Sequence, residues 1–433
     1  MAVLGTRWRA GAAIGSVLTL AVVTTGCASS AGDDSAEPGS GKITIGMVAG
    51  LTPQYEEVIA AFNKEYPDIE VELQSMPDEV PDMTRSLQTA KLGGQLPDIV
   101  VGFADNINQL AAADVTADVS DRLSDSELQV DSFLPNYLDA YRPLDAPDEV
   151  HGLPVGADAL ILAYNADVFE KAGVDVPSDD WTWKDFDAAA DAISAAGAGE
   201  YFGLANGPEN ALISDPIIRA MGGYLYDPSS NTTGMAEPEA LEAWQLMADE
   251  WLSGRAAPYT VNRNERPKFQ DGRVAMIFTV RPAVPSVNAA MDNWDVVSMP
   301  SLDGVRPVGG SSYALSLTQD AKNPDDAWTF LEFMYSNDGG MAVMQANGGV
   351  VPATVEGVKS GTWQELDRPA NQAAFGTAAT EATMITQFPP TVQAVYDDAI
   401  AQAFQQVVLG GVSVEQAFTE AAALVDEALE AVE

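Results

Sequence analysis

The sequence predicts an α/β protein of two to three domains. Three observations predict it. A strand–helix–strand unit opens the body of the chain at Lys42. Amphipathic helices with short strands between them fill most of the remainder. The 433 residues are 46% hydrophobic, which at about 100–200 residues per domain supports a sizeable core.

The elements follow in chain order. Lys42–Val48 (KITIGMV) reads as a short buried strand, with the loop 49–53 after it. Tyr55, Val58, Ile59, Phe62 and Tyr66 recur on one face of a helix, and Pro67 stops it by forcing the preceding residue out of helical geometry. Ile69, Val71 and Leu73 alternate with Glu70, Glu72 and Gln74 as a second strand. Such a crossover unit belongs to a parallel sheet. A helix around Met83–Leu92 leads to a third strand at Asp98–Phe103. Thr182 caps a helix, with Asp185 as the reciprocal acid of a shortened capping box. Further helices are expected near 237–252, 324–334, 390–408 and 413–431. No internal repeat or heptad run is present.

Charge narrows the function. The chain has 64 Asp plus Glu, 21 Lys plus Arg, and a net charge of -43. Nucleic-acid affinity comes from cations neutralising phosphates, so that class is disfavoured, as is a basic patch on anionic lipid. One Cys and one His leave out an internal disulfide and Cys-rich or multi-His metal sites. No cofactor is expected, and no metal.

Residues 1–26 differ from the rest. Arg7 and Arg9 precede an apolar, uncharged run from Ala10 to Thr25, followed by Gly26-Cys27. This is the pattern of an export signal; the run is short and rich in Gly, Ser and Thr for a membrane span. Val23–Cys27 resembles a bacterial lipoprotein signal, with Thr24 where Leu is usual. That resemblance implies cleavage before Cys27 and a lipid on its thiol. Residues 27–41, rich in Ser, Gly and acid, then read as a lipid-anchored flexible tether. Loss of Arg7 and Arg9 leaves 19 basic against 64 acidic residues.

Six segments in order carry a wider resemblance. They are the unit from Ile43 to Leu73 with Phe62–Ile69 at its turn; Gly94–Ile99 (GQLPDI); and Gly152–Val155 with Leu162–Gly173 and Trp181–Trp183. Next come Gly222-Gly223; Phe269–Met276 (FQDGRVAM); and Gly309–Ser311 with Lys322–Trp328 and Gly348–Pro352. In these the chain resembles the extracellular solute-binding proteins of ABC importers, in the carbohydrate-type subgroup (family 1) that includes the maltose-binding protein. The resemblance implies a two-lobed periplasmic-binding-protein-like fold (type II), each lobe a mixed sheet flanked by helices, with a ligand cleft between. Lobe one would hold 43–154 plus 282–318, and lobe two 155–281 plus 319–433. The chain would cross near Pro154–Gly156, Phe278–Arg281 and Leu317–Asp320. Solute capture would proceed by hinge closure, followed by delivery to the permease subunits. The protein would be a monomer on the outer face of the cell membrane, and not an enzyme.

Sugars need polar groups for hydroxyls and flat rings for C–H faces. By position, the resemblance implies Phe103, Asp105 and Asn106 after the third strand, and Asp158, where the family has Glu. Arg281 stands near the usual aromatic contact at a crossing; Tyr224, Ser311 and Phe388 complete the set, with Tyr396 a second stacking candidate. Gly50-Leu51 lacks the charged residues of the family's first loop. Each has a plainer reading. Asp105 also reads as a helix N-cap, and Arg281 as a surface ion pair. Trp183, Trp244, Trp251 and Trp328 read as packing, and His151 as satisfied locally.

Two rivals stay open. The same fold could take a polyol, a glycerol-phosphate or a polyamine. A secreted glycosidase would need two carboxylates flanking a bond, and acids are abundant; no hydrolase motif accompanies them.

Overall fold

The computed structural model describes residues 41–432 except 127, 262–264 and 347. The predicted signal and Cys27 lie outside them.

The first sheet runs in the order Glu70–Met76, Lys42–Val48, Ile99–Phe103, Tyr313–Leu317, Leu153–Pro154. Lys42–Val48 pairs in parallel with both of its neighbours. Tyr313–Leu317 enters antiparallel, with Tyr313 opposite Phe103 and Ala314 opposite Pro154. Both faces are covered, as parallel strands require. Ile43, Ile45 and Met47 pack with Tyr55, Val58 and Phe62 of helix Thr52–Glu65 and with Phe330 of helix Pro324–Tyr335. Val48 and Val100 pack on the other side with Met83 and Leu87 of helix Val80–Gly93.

Asp98 ties this lobe together. One carboxylate oxygen accepts from the Thr44 backbone N–H (2.8 Å) and hydroxyl (2.9 Å). The other accepts from the Lys322 and Asn323 N–H groups at 2.7 and 3.1 Å. The Pro-Asp of the GQLPDI segment thereby links the first strand to the start of helix Pro324–Tyr335.

The second sheet runs Trp294–Val297, Ile161–Asn165, Val274–Thr279, Phe202–Leu204. Helix Trp183–Gly197 packs on it and opens as expected: Asp185 N–H donates to Thr182 Oγ1, and Thr182 N–H to Asp185 Oδ2. Trp244 stacks on Phe418 at 4.4 Å and meets Phe404 edge-on, joining helices Pro238–Leu252, Gln393–Val408 and Val414–Glu430. Trp183, Trp244 and Trp328 are buried, while Trp251 keeps part of its surface. His151 is buried and satisfied by Thr116 and Glu149.

A small third sheet, Thr383–Met384, Gly309–Ser311, Asp158–Ala159, sits where the chain passes between the other two. Asp158–Ala159 follows Leu153–Pro154 of the first sheet and precedes Ile161–Asn165 of the second. Gly309–Ser311 makes the return, from Trp294–Val297 to Tyr313–Leu317. Val350–Ala353 runs beside them, with Ala157 N–H on Val351 O and Ala353 N–H on Val155 O. Gly309 and Gly310 are required by close approach. A Cβ on Gly309 would lie 2.0 Å from Leu212 O, and one on Gly310 would lie 2.9 Å from Ala382 Cβ.

These pairings correct two parts of the expected division. Trp294–Val297 falls in the range assigned to lobe one, yet it pairs with Ile161–Asn165 of the second sheet. Helix Pro324–Tyr335 was assigned to lobe two, yet Phe330 and Leu331 lie in the core of the first. Between the two large sheets the chain passes through 155–160, then through Gly309–Ser311 and not Phe278–Arg281, and finally through Val350–Ala353 and not Leu317–Asp320. Strand partners are non-local, so the order of segments did not reveal them.

Candidate functional site

Asp158 and Ser311 stand opposite one another on the two antiparallel crossing strands. Both keep part of their surface, as does Asp105. Burial pushes the Asp158 carboxyl up to about 7. Burial, and then the charge of Asp397, pushes Asp105 up to about 6. One carboxylate oxygen of Asp105 is buried and has no hydrogen-bond partner among the described residues.

Tyrosine hydroxyls surround these acids. Tyr137, on the short helix Pro135–Asp139, is fully buried, and its hydroxyl lacks a partner among the described residues. That hydroxyl lies over the Gly309–Ser311 strand, 3.3 Å from where a Gly310 Cβ would stand. Tyr141, one turn on, donates to Ser312 O at 2.7 Å. Tyr55 donates to the Tyr313 hydroxyl at 3.4 Å. Burial raises all four phenols, with the negative field of Asp158 adding at Tyr137, Tyr141 and Tyr313, so they remain protonated donors.

The C-terminal segment closes one side. Gln387 donates to Ala104 O (2.9 Å) and Ala140 O (2.6 Å), and accepts from Asn108 at 3.1 Å. Those carbonyls flank Asp105 and Tyr141. Thr386 is held by Asp215 (2.5 Å) and Arg219 (2.7 Å) of helix Ala211–Ala220.

The expected residues therefore divide. Asp105, Asp158 and Ser311 gather around Tyr141, which feels both acids and donates to the Ser312 carbonyl. Phe103 keeps part of its surface and stands opposite Tyr313. Asn106 is buried and holds the turn, accepting from Phe103 N–H and donating to Thr84. It also takes the N-cap position of helix Ile107–Ala112, so Asp105 is not the cap. Phe388 is 2% exposed, stacked on Tyr396 at 4.5 Å. Tyr224 is 38% exposed and packs against Gly234.

Arg281 departs from both of its readings. It is 0% exposed. Its guanidinium donates to Gly348 O, Gln372 Oε1 and Trp363 O, and lies 4.8 Å from the Phe375 ring centre. Burial lowers its pKa to about 10. It is an internal clamp, with no surface for a solute or an ion pair at the protein exterior.

Comparison with known proteins decides the family. The model of the bacterial extracellular solute-binding proteins matches residues 49–341, well over half of the chain. This chain belongs to that family. A binding protein of Brucella abortus (strain 2308) is 27% identical to this solute-binding protein over 98% of each chain. The maltotriose-binding protein of Pyrococcus abyssi is 24% identical, over 82% of this chain and 75% of its own. The substrate-binding protein of Listeria monocytogenes solved with cycloalternan superposes with a TM-score of 0.77 at 22% identity, over 89% of this chain and 98% of its own. That likeness shows the shared two-lobed fold.

The sequence reading missed Tyr137, Tyr141, Tyr313 and Gln387. The first two fall four residues apart on one helical face, a spacing that equally describes core packing.

Proposed function

We propose that this solute-binding protein is the lipid-anchored receptor of an ABC importer, capturing a sugar or oligosaccharide between its lobes. The observation that carries the reading is the pairing of Asp158 with Ser311 on the two crossing strands. Tyrosine hydroxyls and a second acid surround the pair. Such a set offers acceptors and donors to a solute rich in hydroxyls. It stands where bending of the crossings closes the lobes. The Pyrococcus relative named for maltotriose and the Listeria neighbour holding cycloalternan support the sugar class.

In this reading residues 1–26 are the signal, Cys27 carries the lipid, and 27–41 hold the body off the outer face of the membrane. The loaded monomer docks on the permease subunits and performs no turnover. No helix among the described residues is long and apolar enough to cross a membrane. The burial of Arg281 leaves the glycerol-phosphate rival without its expected anion partner.

A thermal-shift screen tests the solute class, because a ligand of the folded state alone raises the melting temperature. Maltotriose and related oligosaccharides should raise it. A shift with phosphorylated polyols and none with any sugar contradicts the reading. For the anchor, Cys27→Ser should release the protein into the medium.

A further inference from the structure

We propose that the solute carries a protonated amine, as an amino sugar or amine-bearing oligosaccharide does, and that Asp105 and Asp158 together supply its counter-charge. This rests on the site assigned above and names the class of solute within it.

The first observation is the balance of charge. Asp105 and Asp158 both act on Tyr141, whose hydroxyl bonds Ser312 O beside the Asp158–Ser311 pair while Gln387 joins Ala104 O to Ala140 O. No basic side chain among the described residues pairs with either acid. The groups packed around them supply no positive charge. Tyr55, Tyr137, Tyr141 and Tyr313 are neutral phenols, with Tyr335 behind them. On the C-terminal side stands Asp397, a third acid. Arg219, which holds Thr386 beside Gln387, is already bound to Asp215 at 2.9 Å. Arg281, the remaining cation considered for the site, is enclosed elsewhere.

The second observation is independent of charge. The Tyr137 hydroxyl is fully buried, has no partner among the described residues, and lies within the field of Asp158. An unmet buried hydroxyl costs free energy, and a solute reaching the Gly309–Ser311 strand would satisfy it.

Closure sharpens the argument. Excluding water from two carboxylates raises the cost of their ionised form. A neutral sugar donates hydrogen bonds and leaves the charge uncompensated. An ammonium group donates up to three hydrogen bonds and neutralises one charge, with charge-assisted bonds of roughly twice the neutral strength. The same two acids, pushed up to about 6 and about 7, would be drawn back to the ionised form by a bound ammonium. Amine affinity should therefore rise from about pH 5 to about pH 6.5 and fall above it, where the sugar amine gives up its own proton, and neutral-sugar affinity should not.

Isothermal titration calorimetry of the full chain with the glucosamine trisaccharide, its fully N-acetylated counterpart and maltotriose tests this. The amine-bearing trisaccharide should bind about tenfold or more tighter than either neutral one at about pH 6.5, a difference of about 1.4 kcal/mol or more. That margin should shrink towards about pH 5. The double substitution Asp105→Asn with Asp158→Asn should erase it, circular dichroism confirming the fold. Tyr137→Phe should weaken all binding while preserving the amine preference. Maltotriose binding as tightly as the amine overturns the inference and leaves the sugar reading standing. An amine preference that survives the double substitution also overturns it. Absence of binding by all three overturns both readings.

Discussion

Asp158 lies directly opposite Ser311, on two antiparallel strands that each pass between the two large sheets. A solute touching this pair touches two crossings at once, so the binding event and the bending segment share residues. The carboxyl there is held partly protonated by burial, which has a consequence for stability.

The folded-state pKa of Asp158, about 7, lies above the ordinary 3.8. The folded form keeps a proton that the unfolded chain has lost, so stability falls as pH rises between those values and stays low above them. Three units correspond to at most about 4 kcal/mol; its remaining exposure lowers the expected figure to about 2 kcal/mol. Asp158→Asn should raise the melting temperature of the unliganded protein at about pH 8 and change it little near pH 4. Melting curves at both values check this, and a lower melting temperature at pH 8 contradicts it.

Arg281 makes three hydrogen bonds to buried acceptors and two ring contacts. Arg281→Leu strands the Gly348 and Trp363 carbonyls. Loss of about 3 kcal/mol or more is expected, read from the urea midpoint. Solute affinity per folded molecule should be unchanged. A stable variant with weakened binding would return Arg281 to the site.

Asp98→Ala removes the acceptor for four donors from two separate segments. A loss of about 3 kcal/mol is expected. Hydrogen exchange should rise first at Thr44, Lys322 and Asn323. Uniform exchange across the chain would mean that Asp98 does not join those elements.

Gln387 and Thr386 hold opposite lobes through adjacent residues. Gln387→Ala removes three hydrogen bonds at about 1 kcal/mol each, enough to shift an open–closed equilibrium by about two decades. Small-angle scattering of the unliganded variant should give a larger radius of gyration than the parent. An identical radius would show that this strap does not hold the lobes together.

Much of the fold was legible from periodicity. The helix on Tyr55, Val58 and Phe62, the strand Lys42–Val48 and the capping box at Thr182 are local events, set by the spacing of apolar residues and one capping side chain. Asp105, Asp158 and Ser311 drew notice in the sequence because they follow strand ends or sit beside paired glycines. Arg281 misled because a charged residue at a crossing looks exposed in sequence. Only the carbonyls of Gly348 and Trp363, reached from 67 and 82 residues away, explain why it is buried.

By itself the sequence determined the α/β class, the acidic character, most helices and the family resemblance. These depend on composition and on contacts within a few turns of chain. The tertiary structure alone decided which strands share a sheet, where the chain crosses, and which side chains meet at Asp158. Those depend on pairing between distant segments. Gly309-Gly310 shows the difference: two small residues in the sequence became a crossing only when Leu212 O and the Tyr137 hydroxyl closed in on them.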